Sequence, residues 1–201
     1  MGTDMENRVE AGNSGTNSGI IVAQNDGTIN IQRPPSLVKL PSHITTIIKN
    51  LGEICFEEDN LKITDDLVIF KTEDKIRYNN VIKYRDIIKN YSQFYTMCDE
   101  VLNAYDNSNI GSKKKILFCI KTWYLVCKGE FLKAKKNKKD SDIDVIRRNA
   151  DEIIDAVICK IKDIILSSSN NKSIDIEDIE VGLPCFICYA FMECKVLEKP
   201  Q

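Results

Sequence analysis

One histidine, His43, stands in a chain of 201 residues. That scarcity removes most of the acid–base pairs and zinc ligand sets built on imidazole. Cys185-x-x-Cys188 has no second cysteine pair at ligand spacing to join it, although the chain holds 8 cysteines. Structural zinc normally takes four Cys or His ligands, so core packing is the expected role. A redox pair would want a strand-to-helix setting, which this one lacks. Charge of one sign is not in excess either: 28 Lys plus Arg against 30 Asp plus Glu leaves a net charge of −2. Such a balance describes a mixed, solvated surface, not a dedicated nucleic-acid binder. No apolar run reaches the roughly 20 residues of a membrane span. The opening Met1-Gly-Thr-Asp-Met-Glu6 is polar and lacks the apolar segment of a signal peptide. A cytoplasmic protein with reduced thiols and no membrane attachment is the expectation.

What is present is enough apolar residue for a core, 43% of the chain. Cys98, Cys119, Cys127 and Cys159 all fall on apolar faces and are expected to pack as small hydrophobes. Residues 1–18 are Gly, Asn, Ser, Thr and charge, and read as a flexible tail. Over 19–33, Ile20-Ile-Val-Ala-Gln24 and Thr28-Ile-Asn-Ile-Gln32 flank Asp26-Gly27. Two β-rich runs about Asp-Gly predict a hairpin. A lone hairpin is marginal in water, so Ile20, Val22, Ile29 and Ile31 are candidate oligomerisation residues, docking on the rest of the chain being the other choice. The preceding glycines do not form a phosphate loop, because no Gly-Lys-Ser/Thr and no helix follow them.

Residues 34–64 read as a connector, with prolines at 34, 35 and 41 and a short helix from Ser42 to about Ile48. Residues 65–201 read as a helical bundle. Thr72 is the expected cap of a first long helix whose apolar stripe runs from Ile76 to Tyr105. A second helix begins near Ser112 and carries Ile116, Leu117, Ile120, Trp123, Tyr124, Cys127 and Phe131. A third starts at Ser141, with Asp144 placed for a near-capping box, and runs to Ile165. Ile174 to Glu180 reads as a short turn, and Pro184 as the start of a shorter last helix ending near Lys195. The fold class expected is thus mainly α: three long helices and a shorter C-terminal one, preceded by a short β-hairpin.

The one charge concentration, Lys133, Lys135, Lys136, Lys138 and Lys139, closes the second helix. It complements the helix dipole, and no arginines or aromatics are interleaved with it. Polyanion contact, and with it nucleic acid, is the lesser reading of this run. Asp142/Asp144 and Asp175/Glu177/Asp178 read as caps and surface, and no enzyme and no cofactor are indicated.

Two stretches together resemble one family. Phe70-x4-Lys75-Ile76-x-Tyr78-Asn79, followed by a long helix and Ile120-Lys121-x2-Tyr124, resembles the opening of a C-terminal helical domain of bacterial ABC-three-component conflict systems, which include the Lamassu-like antiphage systems. Ala190-Phe191-x2-Cys194-Lys195-Val196-Leu197-Glu198-x-Pro200 resembles the "CKILE-P" ending of such domains. The likeness spans about residues 65–201 and implies partners: an SMC-like or Rad50-like ATPase and an effector. It makes Lys75, Tyr78, Asn79, Cys194, Lys195, Glu198 and Pro200 the candidate interface or motif residues. Family members commonly carry an effector domain ahead of this one; here a tail and a hairpin precede it, which implies an accessory or adaptor subunit without catalysis. The hairpin pattern Ile21-x3-Asn25-x-Gly27-x-Ile29 also resembles a Gly-Asn element ahead of domains in other bacterial defence proteins. The alternative function is a self-assembling immunity-type or structural binding protein, a homo-oligomer formed through the hairpin.

Overall fold

The computed structural model describes residues 21–22, 29–30, 39–54 and 66–200, with side-chain surroundings for 39–54 and 71–200. The chain divides into two units, Met1–Val38 and Lys39–Gln201. In the first, β1 (Ile21–Val22) pairs antiparallel with β2 (Ile29–Asn30), Ile21 opposite Asn30 and Val22 opposite Ile29. The expected tail, the hairpin turn and the two ends of the connector, 34–38 and 55–64, lie outside the described residues.

The second unit is a helical bundle: α1 (His43–Ile54), α2 (Asp66–Asn79), α3 (Arg85–Ser92), α4 (Tyr95–Ser108), α5 (Ser112–Lys135), α6 (Asp142–Arg148), α7 (Ala150–Ser167) and α8 (Ile176–Met192), with a 3-10 turn at Asn171–Ser173. The protein is mainly α, as expected. No helix among the described residues is long and apolar enough to cross a membrane.

The bundle is built about α8. From Leu183 to Phe191 its side chains are buried with the single exception of Pro184, so no side of this helix faces water over that length. A helix apolar all round must be enclosed, and α1, α2, α3 and α4 all pack on it. Its closest partner is α1. A Cβ on Gly182 would lie 2.0 Å from the Ile48 carbonyl oxygen, and one on Gly52 would lie 2.6 Å from the Asp178 main chain. Two glycines therefore let the backbones of α1 and α8 touch.

The helices differ from the expected ones in number and bounds. In place of one long helix from Thr72 there are three, and Thr72 lies inside α2. Asn80 adopts φ 54°, and Val81 N–H then bonds back to the Ile76 carbonyl at 3.1 Å, which ends α2. The Asp151 carboxylate accepts from the N–H groups of Ile82 (3.1 Å) and Lys83 (3.0 Å), satisfying the turn from α7. A continuous apolar stripe reports which face is buried and not whether the helix is unbroken. The third expected helix is likewise split at Asn149 into α6 and α7. Of residues 174–180, expected as a short turn, Ile176 to Glu180 open α8 instead, behind a capping box in which Asp175 and Asp178 exchange bonds. Pro184 sits inside that helix and not at its start. Ser141 caps α6 through Asp144 N–H, as its spacing suggests. Of the four cysteines assigned to apolar faces, Cys98 and Cys127 are buried, but Cys119 and Cys159 are exposed.

Gly182→Ala drives a methyl group into the α1 main chain, and overpacking against backbone costs about 3 kcal/mol. A melting temperature lower by about 6–12 °C is expected in a thermal unfolding scan, since 1 kcal/mol shifts a domain of this size by about 2–4 °C.

Candidate functional site: a clasp on the C-terminal segment

Beyond Met192 the chain leaves the helix in a tight turn. Lys195 N–H bonds to the Ala190 carbonyl at 2.9 Å and Cys194 N–H to the Phe191 carbonyl at 3.1 Å. This pair of bonds closes a helix through a left-handed residue, a place glycine usually fills. Here Cys194 fills it, at φ 55°, and Leu197 is left-handed again at φ 61°. Two non-glycine residues in that region cost about 1–2 kcal/mol each, so the turn must be held by its surroundings.

Three sets of contacts hold it. The Lys75 ammonium, 2% exposed, donates to the Phe191 carbonyl and, at 2.8 Å, to the Val196 carbonyl, and it lies 4.3 Å from the centre of the Phe191 ring. One turn on, Asn79 pairs with both main-chain groups of Glu198: its Nδ2 donates to the carbonyl at 2.8 Å, and its Oδ1 accepts from the N–H at 2.9 Å. The Glu198 carboxylate accepts from the Tyr124 hydroxyl at 2.5 Å and the Lys128 ammonium at 2.6 Å, both on α5. Val196 and Leu197 are buried between these anchors. Lys75 and Asn79 are four apart on α2, and Tyr124 and Lys128 four apart on α5, so each helix offers two groups on one face.

The electrostatics follow from burial. Desolvation pulls the Lys75 ammonium down to about 8; the Cys194 thiol beside it opposes the shift, as does Glu198, while Lys121 adds to it. Burial alone would raise the Glu198 carboxyl, but the Lys128 ammonium and the Tyr124 hydroxyl hold it below the usual carboxylate range. Burial and the Glu198 carboxylate together push the Tyr124 phenol up. Over the clasp lies a groove of about 460 Å³ lined by Lys71, Asp74, Lys75, Tyr95, Cys194 and Pro200 among others.

The clasp brings together Lys75, Asn79, Cys194 and Glu198 from the two stretches singled out in sequence. Pro200 borders the groove above them. Tyr78 points elsewhere, its ring 4.6 Å from the Arg147 guanidinium and its carbonyl accepting from Arg147 Nε at 2.6 Å. Lys195 lines a separate groove with Lys113 and Lys121. Lys133, Lys135, Lys136, Lys138 and Lys139 are all exposed, with Lys136 paired to Asp142 at 2.5 Å. Ile20 and Ile31 lie outside the described residues, while Val22 and Ile29 form one of the two cross-strand pairs. Lys128 joins the clasp without being among the expected residues; its one signal in sequence is the four-residue step from Tyr124. Cys185 and Cys188 are buried in α8, where desolvation raises the Cys188 thiol to about 12. No group of three or more His, Cys, Asp or Glu side chains among the described residues is arranged to hold a metal ion. Chemically the clasp reads a peptide backbone: its donors and acceptors are matched to the main chain of 191–198.

Comparison with known proteins finds no matching family model, no matching curated protein and no matching solved structure.

Asn79→Asp replaces a donor by a carboxylate facing two carbonyls, a loss of about 2–4 kcal/mol. The Glu198 amide is expected to lose its hydrogen-exchange protection in this variant while α7 amides keep theirs. Lys75 sets a pH dependence as well. Its folded pKa is depressed, so the unfolded chain binds more protons between about pH 8 and 10.5, and stability rises with pH across that window. Urea unfolding at pH 7 and pH 10 should show a gain of about 2 kcal/mol for the native chain relative to Lys75→Met over the same interval.

Proposed function

We propose that this chain is a non-catalytic accessory subunit of a bacterial antiphage defence complex, working beside an SMC-like or Rad50-like ATPase and an effector. One observation carries the reading. The two stretches that resemble the ABC-three-component C-terminal domains, far apart in sequence, meet at Asn79 and Glu198, which exchange two hydrogen bonds. Likenesses arising by chance in separate fragments have no reason to converge on one structural unit. Lys75, Asn79 and Cys194 to Glu198 then shape the end of the domain, and the subunit acts through protein contacts. Within this reading the N-terminal hairpin is an assembly element: its two strands are two residues each, shorter than an isolated hairpin needs for stability.

The test is expression of the chain from its native locus with the flanking genes. Co-elution with an ABC-type ATPase is expected, together with loss of phage protection when the chain is deleted. Elution alone, with unchanged plaque counts on deletion, sinks the proposal. Light scattering on chains lacking residues 1–35 is expected to show a smaller assembly; an unchanged mass removes the hairpin from assembly.

A further inference from the structure

Helix α5 is apolar on two sides. Its inner side is the core face of Ile116, Ile120, Tyr124 and Cys127. On the outer side Phe118 is 72% exposed, Leu125 50% and Val126 54%, with Cys119 beside them in solvent. These residues recur by sevens: Phe118 with Leu125, Cys119 with Val126, and the small Thr122 with Gly129 in the column between. A seven-residue repeat keeps side chains in line along one seam of a helix, the pattern by which one helix receives another. The bundle does not need this face, since α5 already packs on α1, α4, α6 and α7 through other residues. Gly129 points the same way. Glycine inside a helix costs about 1 kcal/mol relative to alanine, yet a Cβ there would meet nothing within 4 Å. The described residues supply no reason for it, whereas a second backbone crossing the seam at Gly129 would.

The edge of the seam is charged in one sense. Lys114, Lys121, Lys128 and Lys135 stand at seven-residue intervals along it. Lys128 pairs with Glu198 and Lys121 lies 4.7 Å from the Tyr124 ring. Lys114 and Lys135 are exposed and pair with no carboxylate among the described residues. A groove of about 450 Å³ runs beside Phe118, bordered by Lys114, Lys121 and Lys195, by Lys113, which is paired to Asp99 at 2.7 Å, and by the single carboxylate Asp106. We infer that the outer face of α5 is the docking site for an amphipathic helix of a partner protein, apolar along its seam and acidic along one edge. A second copy of this chain fits poorly. Antiparallel pairing of two α5 helices sets the lysine row against itself, and parallel pairing sets it against Cys119, Val126 and Lys133, none of which is acidic. The inference rests on this face alone and not on the defence-subunit reading.

The test uses the full chain and two synthetic peptides of about four heptads, leucine at both seam positions, one with Glu and one with Lys at the flanking positions. The Glu peptide is expected to bind at least about ten-fold tighter than the Lys peptide, with affinity falling as salt is raised. It should protect Cys119, and leave Cys159 open, to maleimide labelling read by mass spectrometry. Leu125→Asp abolishes binding without changing the melting temperature. Gly129→Ala raises the melting temperature by about 2–4 °C and weakens binding, a combination that a purely structural glycine would not give. Equal binding of both peptides, binding of neither, or indifference to Leu125→Asp overturns the inference. So does a Cys119 already unreactive before peptide is added, which would mean that this chain or a second copy covers the face. Protection of Cys119 by a single-stranded oligonucleotide in place of the Glu peptide overturns it in favour of nucleic acid.

Discussion

The Lys75 ammonium, buried and donating to the carbonyls of Phe191 and Val196, is what the end of this molecule depends on. Those carbonyls belong to a turn with two left-handed residues, and a buried carbonyl without a donor costs about 1–3 kcal/mol. The cation is itself penalised by burial, as its lowered pKa records. Three further attachments offset that penalty: the two-point pairing of Asn79, the α5 grip on Glu198, and the burial of Val196 and Leu197. Removing any one anchor leaves the other groups buried without full partners, which is why the segment should respond as a unit.

The same device closes the other end of the bundle. Asn170 Oδ1 accepts from the Ser42 N–H at 2.9 Å, and its Nδ2 donates to the Ser42 carbonyl at 3.0 Å, so one side-chain amide satisfies both main-chain groups of a residue just before α1. Asn79 does this for Glu198. Between these fixed ends α1 and α8 lie in backbone contact through Gly52 and Gly182. The arrangement places α8 at the centre and leaves α5 at the periphery, packed on one side and open on the other. The clasp and the open face share α5: Tyr124 and Lys128 serve the C-terminal turn, while Phe118, Leu125 and Val126 point outward. A partner bound along the lysine row would therefore sit next to the Glu198 anchor.

Much of the helical content was legible from the apolar stripes, because burial of one face imposes a 3.6-residue period that survives in sequence. The inner face of α5 and the bounds of that helix illustrate this. Breaks were less legible. Asn80 ends α2 by adopting a left-handed conformation that asparagine tolerates, and Asp151 completes the turn from a helix about 70 residues away; neither event has a signature in the local pattern. Cys119 and Cys159 differ from expectation for another reason: an apolar residue on a second helical face looks the same in sequence whether it meets its own core or the solvent. Resemblance marked Lys75 and Asn79 in one stretch and Glu198 in another, but nothing in their spacing joined them.

Composition and periodicity determined on their own that the chain is mainly helical and that Ser141 caps a helix, because each follows from local energetics or from the cost of exposing apolar surface. Only the tertiary structure decided that residues 176–182 are the opening turns of the central helix, that Gly182 marks a backbone crossing, and that a lysine of α2 meets two carbonyls of the last turn. These are long-range pairings: a side chain shows what it can bond, and only the folded chain shows which main-chain group it meets.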